Sequence, residues 1–324
     1  MPAARTLNEG RRLGPLMQAP VNPSANPSAN PSANPTPPSA LPPVARSMKP
    51  AAGWGARIGL QFESRGERTI LAQKQQQGPL TVQRAFYPEG AACHLYLLHP
   101  PGGVVGGDRL EIEAQVATGA HALLTTPGAA KFYRSAGAMA QQRQHFEVAD
   151  GGVLEWLPQE SILFPGARLE LRSRIALRGS ARLIGWEILS LGRPVIDERF
   201  DRGCATIGLR IERDGHPLLS ERLRLDLEQS PQIGLDGASG LRGLPITATL
   251  IATGATAADL AAARAAVPAE PGFALGLSLL DDLLVARALG AKVEPVMHQF
   301  RAIWRCLRPR LLGLEASSPR IWAT

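Results

Sequence analysis

From Gly53 to about Thr249, apolar residues recur at every second position. Leu110, Ile112, Ala114 and Val116 alternate with Glu111, Glu113 and Gln115. Leu169, Leu171, Ile175 and Leu177 do the same among charged neighbours. Ile207, Leu209 and Ile211 lead through Asp214-Gly215 into Leu219, Leu223, Leu225 and Leu227. Successive side chains of an extended strand point to opposite faces, so this period describes strands buried on one side. Asp-Gly between two such runs predicts a tight hairpin. Strands this numerous, spaced by Gly- and Pro-containing turns, predict an antiparallel-rich, layered or solenoid-like β structure. No fixed-period repeat is visible, so the sequence alone does not establish a repeat architecture.

The period changes near residue 256. Thr256-Ala257-Ala258-Asp259 opens an alanine-rich helix running to about Val267, with Thr256 or Ala255 as its cap. A second helix is expected from Leu279 to Leu289, with Leu280, Leu283, Leu284 and Leu289 on its apolar face. A third is expected from Glu294 to about Leu307, with Val296, Phe300, Ile303, Trp304 and Leu307 at helical spacing. Pro309 is expected to end or kink it. The expected fold is therefore mainly β, with β-helix-like or layered strands and a few α-helices in the C-terminal part. Residues 1–50 read differently. They carry three tandem Asn-Pro-Ser-Ala units between Asn22 and Ala33 and almost no large apolar residues, so they are expected to form a disordered tail. Its two readings are an unselected repeat and a linker or docking tail. Met48 is a candidate initiator. Residues 51–324 are expected to form one domain, mainly β over 51–250 and helix-containing over 251–324.

Charge and cysteine content narrow the function classes. Of the net charge of +7, residues 1–50 carry +4 (Arg5, Arg11, Arg12, Arg46 and Lys49 against Glu9), which leaves +3 for the rest. The remaining arginines are interleaved with carboxylates, as in Glu212-Arg213-Asp214, so no concentrated nucleic-acid face is expected. No apolar run approaches a membrane span or a signal core. Cys93, Cys204 and Cys306 are too scattered for a disulfide framework. A soluble, cytoplasmic protein is the expectation.

The glycine-rich segment LLHPPGGVVGGD (Leu97 to Asp108) is the most specialised stretch. It lacks the Gly-Lys-Ser/Thr end of a phosphate loop, and a strand rather than a helix follows it. Cys93, His94 and His99 lie close in sequence, but an extended chain would hold Cys93 and His99 about 20 Å apart. Neither HExxH nor paired cysteines occur, and no GxSxG is present. Thr125-Thr126-Pro127 reads as a hydroxyl cluster or as turn capping. Glu155, Glu160 and Glu187 sit near tryptophans; burial would raise their pKa, whereas Arg168, Arg193 or Arg199 would satisfy them as ion pairs. No catalytic set emerges.

Several long motifs carry a family resemblance. They are VQRAFYPEGAACHLYLLHPPGGVVGGD (Val82 to Asp108), LLTTPGAAKFYRS (Leu123 to Ser135), LEWLPQESILFPGA (Leu154 to Ala167), GWEILSLGRP (Gly185 to Pro194), PLLSERLRL (Pro217 to Leu225), LLVARALG (Leu283 to Gly290) and PRIWAT (Pro319 to Thr324). From about Trp54 to its C-terminus the chain resembles the urease accessory proteins UreD, called UreH in some bacteria, with Gly128 where the pattern has alanine. The resemblance implies a largely β, β-helix-like fold with C-terminal helices. It implies a non-catalytic chaperone in nickel insertion that contacts the urease apoprotein, binds UreF and, through UreF, meets the GTPase UreG. Nickel would be cargo in transit through an internal passage, with no tightly bound cofactor and no nucleic-acid or membrane partner.

A conduit must bind its ion weakly at several points, which suits scattered oxygen ligands. Asp108, Glu160, Glu187 and Asp197 are the candidate carboxylates of such a path, with ordinary salt bridges and turn caps as the alternative reading. For partner docking the candidates are Phe300 and Trp304 of the third helix and the tail residues Arg320, Ile321 and Trp322. A tail tryptophan docked on its own domain is the alternative there. A β-solenoid hydrolase and a nucleic-acid binder are the competing functional classes.

Overall fold

A computed structural model describes residues 53–229, 235–268 and 273–323. The expectations for residues 1–50, including Met48 and the Asn-Pro-Ser-Ala units, lie outside the described residues. The chain begins with strands β1 (Gly55–Arg65), β2 (Arg68–Gln77), β3 (Thr81–Val82), β4 (Cys93–Leu98), β5 (Arg109–Val116) and β6 (His121–Thr125). There follow β7 (Ala130–Phe132), β8 (Ala140–Val148), β9 (Val153–Leu157), β10 (Ser161–Leu163), β11 (Arg168–Leu177) and β12 (Arg182–Arg193). Then come β13 (Glu198–Arg199), β14 (Cys204–Arg213), β15 (His216–Asp226), β16 (Ile246–Thr253) and helix α1 (Ala257–Ala266). The described chain closes with β17 (Phe273–Leu280), β18 (Leu283–Gly290), helix α2 (Val293–Leu312) and a short 3-10 turn at Arg320–Ala323.

Two sheets result. One has seven strands in the order β15-β14-β11-β8-β5-β1-β2; the other has eleven, with the main path β17-β18-β16-β12-β9-β6-β4-β3. The chain visits them alternately: β5, β8, β11 and β14 belong to the first, while β6, β9 and β12 belong to the second. Neighbours within each of these central series are parallel, as in β5 with β8, β8 with β11, and β9 with β12. Antiparallel pairs flank these series: β1–β2 and β14–β15 in the first sheet, and β3–β4, β12–β16, β16–β18 and β17–β18 in the second. The expectation of an antiparallel-rich structure is corrected here, and the solenoid-like layering holds. Parallel neighbours need a crossover, and the strand in the opposite sheet provides it. Stacked positions run from Val116 to Val148 to Leu177 to Arg213, unevenly spaced. That unevenness explains why no sequence period is visible.

The period-two runs are the strands of the first sheet, whose inner residues Ile58, Ile112, Phe146, Ile175 and Ile211 are buried. The second sheet is covered twice. Its inner face shares this core, and its outer face packs under α1 and α2, where Trp186, Leu250, Ala286, Phe300, Ile303 and Trp304 form a second cluster. Strands covered on both faces read as continuous apolar runs rather than alternating ones.

Thr256, one of the two expected caps, opens α1 through a reciprocal capping box with Asp259. Asp214 and Gly215 both take positive φ (49° and 83°) in the β14–β15 hairpin. The helix expected from Leu279 to Leu289 is not one. Those residues form the end of β17, a turn at Asp281-Asp282, and β18, whose double-sided burial mimics a helical apolar face. Nor does Pro309 end α2, which continues to Leu312 and stops at Gly313 (φ 67°), whose N–H donates to the Pro309 carbonyl.

Candidate functional site

The glycine-rich segment is a tight turn braced by its own aspartate. Asp108 is 1% exposed, and its carboxylate accepts the Val105 N–H at 3.0 Å and the Trp54 N–H at 3.3 Å. Two of the glycines permit close approach: a Cβ on Gly103 would lie 2.1 Å from the Tyr133 ring, and one on Gly106 would lie 2.0 Å from the Ser135 hydroxyl. The turn therefore locks Leu97–Asp108 against the Lys131–Ser135 stretch. Of the nearby metal-ligand types, Cys93 is buried and its thiol is pushed up to about 11 by burial. His94 bonds to Glu89, and His99 stacks on Trp54 at 5.5 Å. The structure does not gather the three into one site.

Between the sheets lies a cavity of about 230 Å³, lined in part by His99, Gln142, Gln144, Trp156 and Glu187. An open groove of about 670 Å³ lies where the sheets splay near β15 and β17, lined in part by Glu187, Glu221, Thr247, Thr249 and Arg287. The two spaces share Glu187 and Leu189 of β12. The Ser173 hydroxyl donates to Glu187 and lies 3.2 Å from Gln144 Oε1. Burial pushes the Glu187 carboxyl up to about 7, with Glu221 adding to the rise and Ser173 opposing it. Glu221 is held by Arg287 Nε at 2.7 Å and by the Thr249 hydroxyl at 3.2 Å.

The other three candidate carboxylates lie elsewhere. Asp108 serves the turn. Glu160 is half-buried and its carboxyl is raised by burial and by Glu294, but it lines neither space. Asp197 is exposed at φ 54°, closing the 3-10 turn of Pro194–Ile196. The structure does not gather the four. Among the described residues, no group of three or more His, Cys, Asp or Glu is arranged to hold a metal ion.

A buried polar cluster also forms, joining residues that lie far apart in the chain. Arg308 of α2 is fully buried, with Nη1 and Nη2 each 2.6 Å from a Glu89 oxygen and Nε 3.1 Å from both oxygens of Glu155. His121 Nε2 lies 2.7 Å from Glu155, the Trp304 indole donates to Glu155 at 2.6 Å, and His94 Nε2 lies 2.5 Å from Glu89. Burial would raise the Glu89 carboxyl, yet His94 and Arg308 outweigh it and hold it at about 2. Burial acts the same way on Glu155, and His121 with Arg308 again reverses it. Glu155 therefore has neither a raised pKa nor any of the expected arginines. Arg168, Arg193 and Arg199 pair with Glu228, Glu198 and Asp236 instead.

The aromatic docking candidates are used internally. Phe300 and Trp304 have no exposed surface, because the apolar face of α2 packs on the second sheet. Trp322 packs 5.5 Å from Trp304 and 5.8 Å from Trp186, beneath the Arg301 guanidinium at 4.6 Å. Its indole donates to the Thr125 hydroxyl at 3.0 Å. Trp322 closes its own domain, and of the tail candidates Arg320 is exposed. The Thr125 and Thr126 hydroxyls act as caps, to the Leu157 carbonyl and from the Gln159 N–H.

Fold and site together define a layered, solenoid-like β protein with a helical cover and an open groove between its sheets. Its sequence places it more narrowly. The family described as UreD urease accessory protein matches residues 55–323, and the chain belongs to that family. It is 47% identical to a urease accessory protein UreD of Alcanivorax borkumensis over 277 residues, covering 84% of this chain and 93% of that one. It is 48% identical to one of Pseudomonas putida strain W619 over 273 residues, covering 84% and 95%. One from Azoarcus sp. is 48% identical over 275 residues, with the same coverage as the Pseudomonas protein. Among the described residues, no helix is long and apolar enough to cross a membrane.

Proposed function

We propose that the chain is a non-catalytic chaperone of urease maturation in the cytoplasm, joining the urease apoprotein to UreF and, through UreF, to the GTPase UreG. In this reading nickel is cargo and crosses between the two sheets past Glu187. The observation that carries it is the position of Glu187, the carboxylate common to the inter-sheet cavity and the open groove. One carboxylate flanked by the neutral oxygens of Ser173 and Gln144 offers a divalent ion a shallow resting point. Tight transition-metal sites need several converging ligands, so such a point would release the ion onward.

The test is the nickel content of urease from cells carrying Glu187→Gln, with copurification of the chain, UreF and urease checked in parallel. Substantial loss of nickel with the complex intact is expected, and Glu187→Asp should restore part of it. Normal nickel content in the Gln variant would overturn the passage. Wild-type chain that does not copurify with urease and UreF would overturn the scaffold.

A further inference from the structure

The edges of the two sheets are protected unequally. β2 carries Arg68 and Lys74, and β15 carries Glu221, Arg222, Arg224 and Asp226. Such charges discourage a foreign strand from pairing. β17, at the end of the second sheet, reads FALGLSLL, with no charge and no proline along eight residues. No strand lies beyond it among the described residues. In an antiparallel pair, alternate residues turn their backbone groups away from the partner. The Leu277 carbonyl accepts from Arg264 at 2.7 Å, so it points away from β18, and Phe273, Leu275 and Leu279 share its parity. The sequence of β17 thus leaves an outward ladder with one of its carbonyls capped.

The same strand borders the open groove. Ala274 and Gly276 form its wall on one side, and Leu209 and Leu223 of the first sheet face it from the other. Its volume of about 670 Å³ falls in the range of ordinary ligand clefts. Its charge is lopsided. Arg287 is paired with Glu221, whereas Arg222 and Arg242 are exposed and have no ion-pair partner among the described residues.

We propose that this groove receives an extended segment of a protein partner, which adds to the β17 edge as a further strand. Backbone pairing at Leu275 and Leu279 supplies the attachment, alternate apolar side chains enter the groove, and a carboxylate on the segment meets Arg222 and Arg242. Strand addition of this kind takes affinity from the main chain and selectivity from the pockets. The inference rests on the scaffold role proposed above but not on nickel crossing at Glu187.

Gly276 provides the test. It is exposed, and a Cβ there would meet nothing within 4 Å, so the fold accepts a larger residue. Gly276→Lys installs the edge charge that β17 lacks, with Gly276→Ala as control. Each full-length chain is coexpressed with the urease apoprotein, UreF and UreG, and amide hydrogen exchange is read for the free chain and the complex. Exchange over Phe273–Leu279 should slow by about ten-fold or more on assembly. The Lys variant should lose copurification at an unchanged Tm, and the Ala variant should keep it. Assembly without protection, or a Lys variant that assembles like wild type, would overturn this inference alone. A wild-type chain that forms no complex would remove the scaffold role and this inference together. Protection of β17 in a self-dimer seen by light scattering would also overturn it, since the occupant would then be a second copy.

Discussion

Of the two readings open for Asp108, path carboxylate and turn cap, its hydrogen bonds are those of the cap. Its position at a strand start after a glycine-rich bend was legible, because only local chain chemistry is involved. Its partners are also local, apart from Trp54, and they make it a cap for two backbone donors. Asp108→Ala should therefore cost about 1–2 kcal/mol through the freed, buried N–H groups. Thermal unfolding should show the loss, while nickel per folded urease complex stays normal; lost nickel at unchanged Tm would contradict this role. Glu155 was illegible for the opposite reason. Its arginine lies 153 positions away on another element, and no local pattern could have singled out Arg308 from the other arginines.

Elements were read well where one face is wet and poorly where both are covered. The strands of the first sheet alternate, and α1 starts at Thr256, one of its two expected caps. β18 is buried on both faces, so Leu283, Leu284 and Leu289 match helical spacing as well as strand spacing. The Asp281-Asp282 turn was the overlooked signal. The direction of strand pairing was equally hidden, since side-chain alternation is the same in parallel and antiparallel neighbours. At this scale Arg308 acts as the tie between α2 and the second sheet. Arg308→Met would leave Glu89 and Glu155 buried without their cation, at a cost of about 3–5 kcal/mol. A lower urea midpoint should report it. The deficit should shrink toward pH 4, because the variant's carboxylates accept protons that Arg308 denies them in the wild type. Ending the chain after Ser318 removes the Trp322 ring from Trp186 and Trp304. That should cost about 1–3 kcal/mol and shift tryptophan emission to the red, as two buried indoles gain contact with water.

For the whole molecule, the shifts of Glu89 and Glu187 act on stability in opposite directions. Glu89 is held at about 2, below its ordinary 4.5, so its contribution is present above pH 4.5 and fades as pH falls toward 2. Glu187 is raised from 4.5 to about 7, so the folded state holds its proton more firmly than the unfolded chain does. Its contribution is complete below pH 4.5 and is lost as pH rises to 7 and beyond. Stability should therefore peak near pH 5 and decline toward neutrality, where an ionised Glu187 is what a passing cation would need. A neutral isostere separates the two effects. Glu187→Gln should match the wild type near pH 5 and exceed it at pH 8 by about 2 kcal/mol, less than the full shift because the group opens onto a solvent-facing groove. Urea unfolding at the two pH values measures the difference. A Gln variant less stable than wild type at pH 8 would show that the ionised carboxylate holds the sheets together. The gain predicted here would instead show that Glu187 occupies the junction of cavity and groove at the expense of the fold.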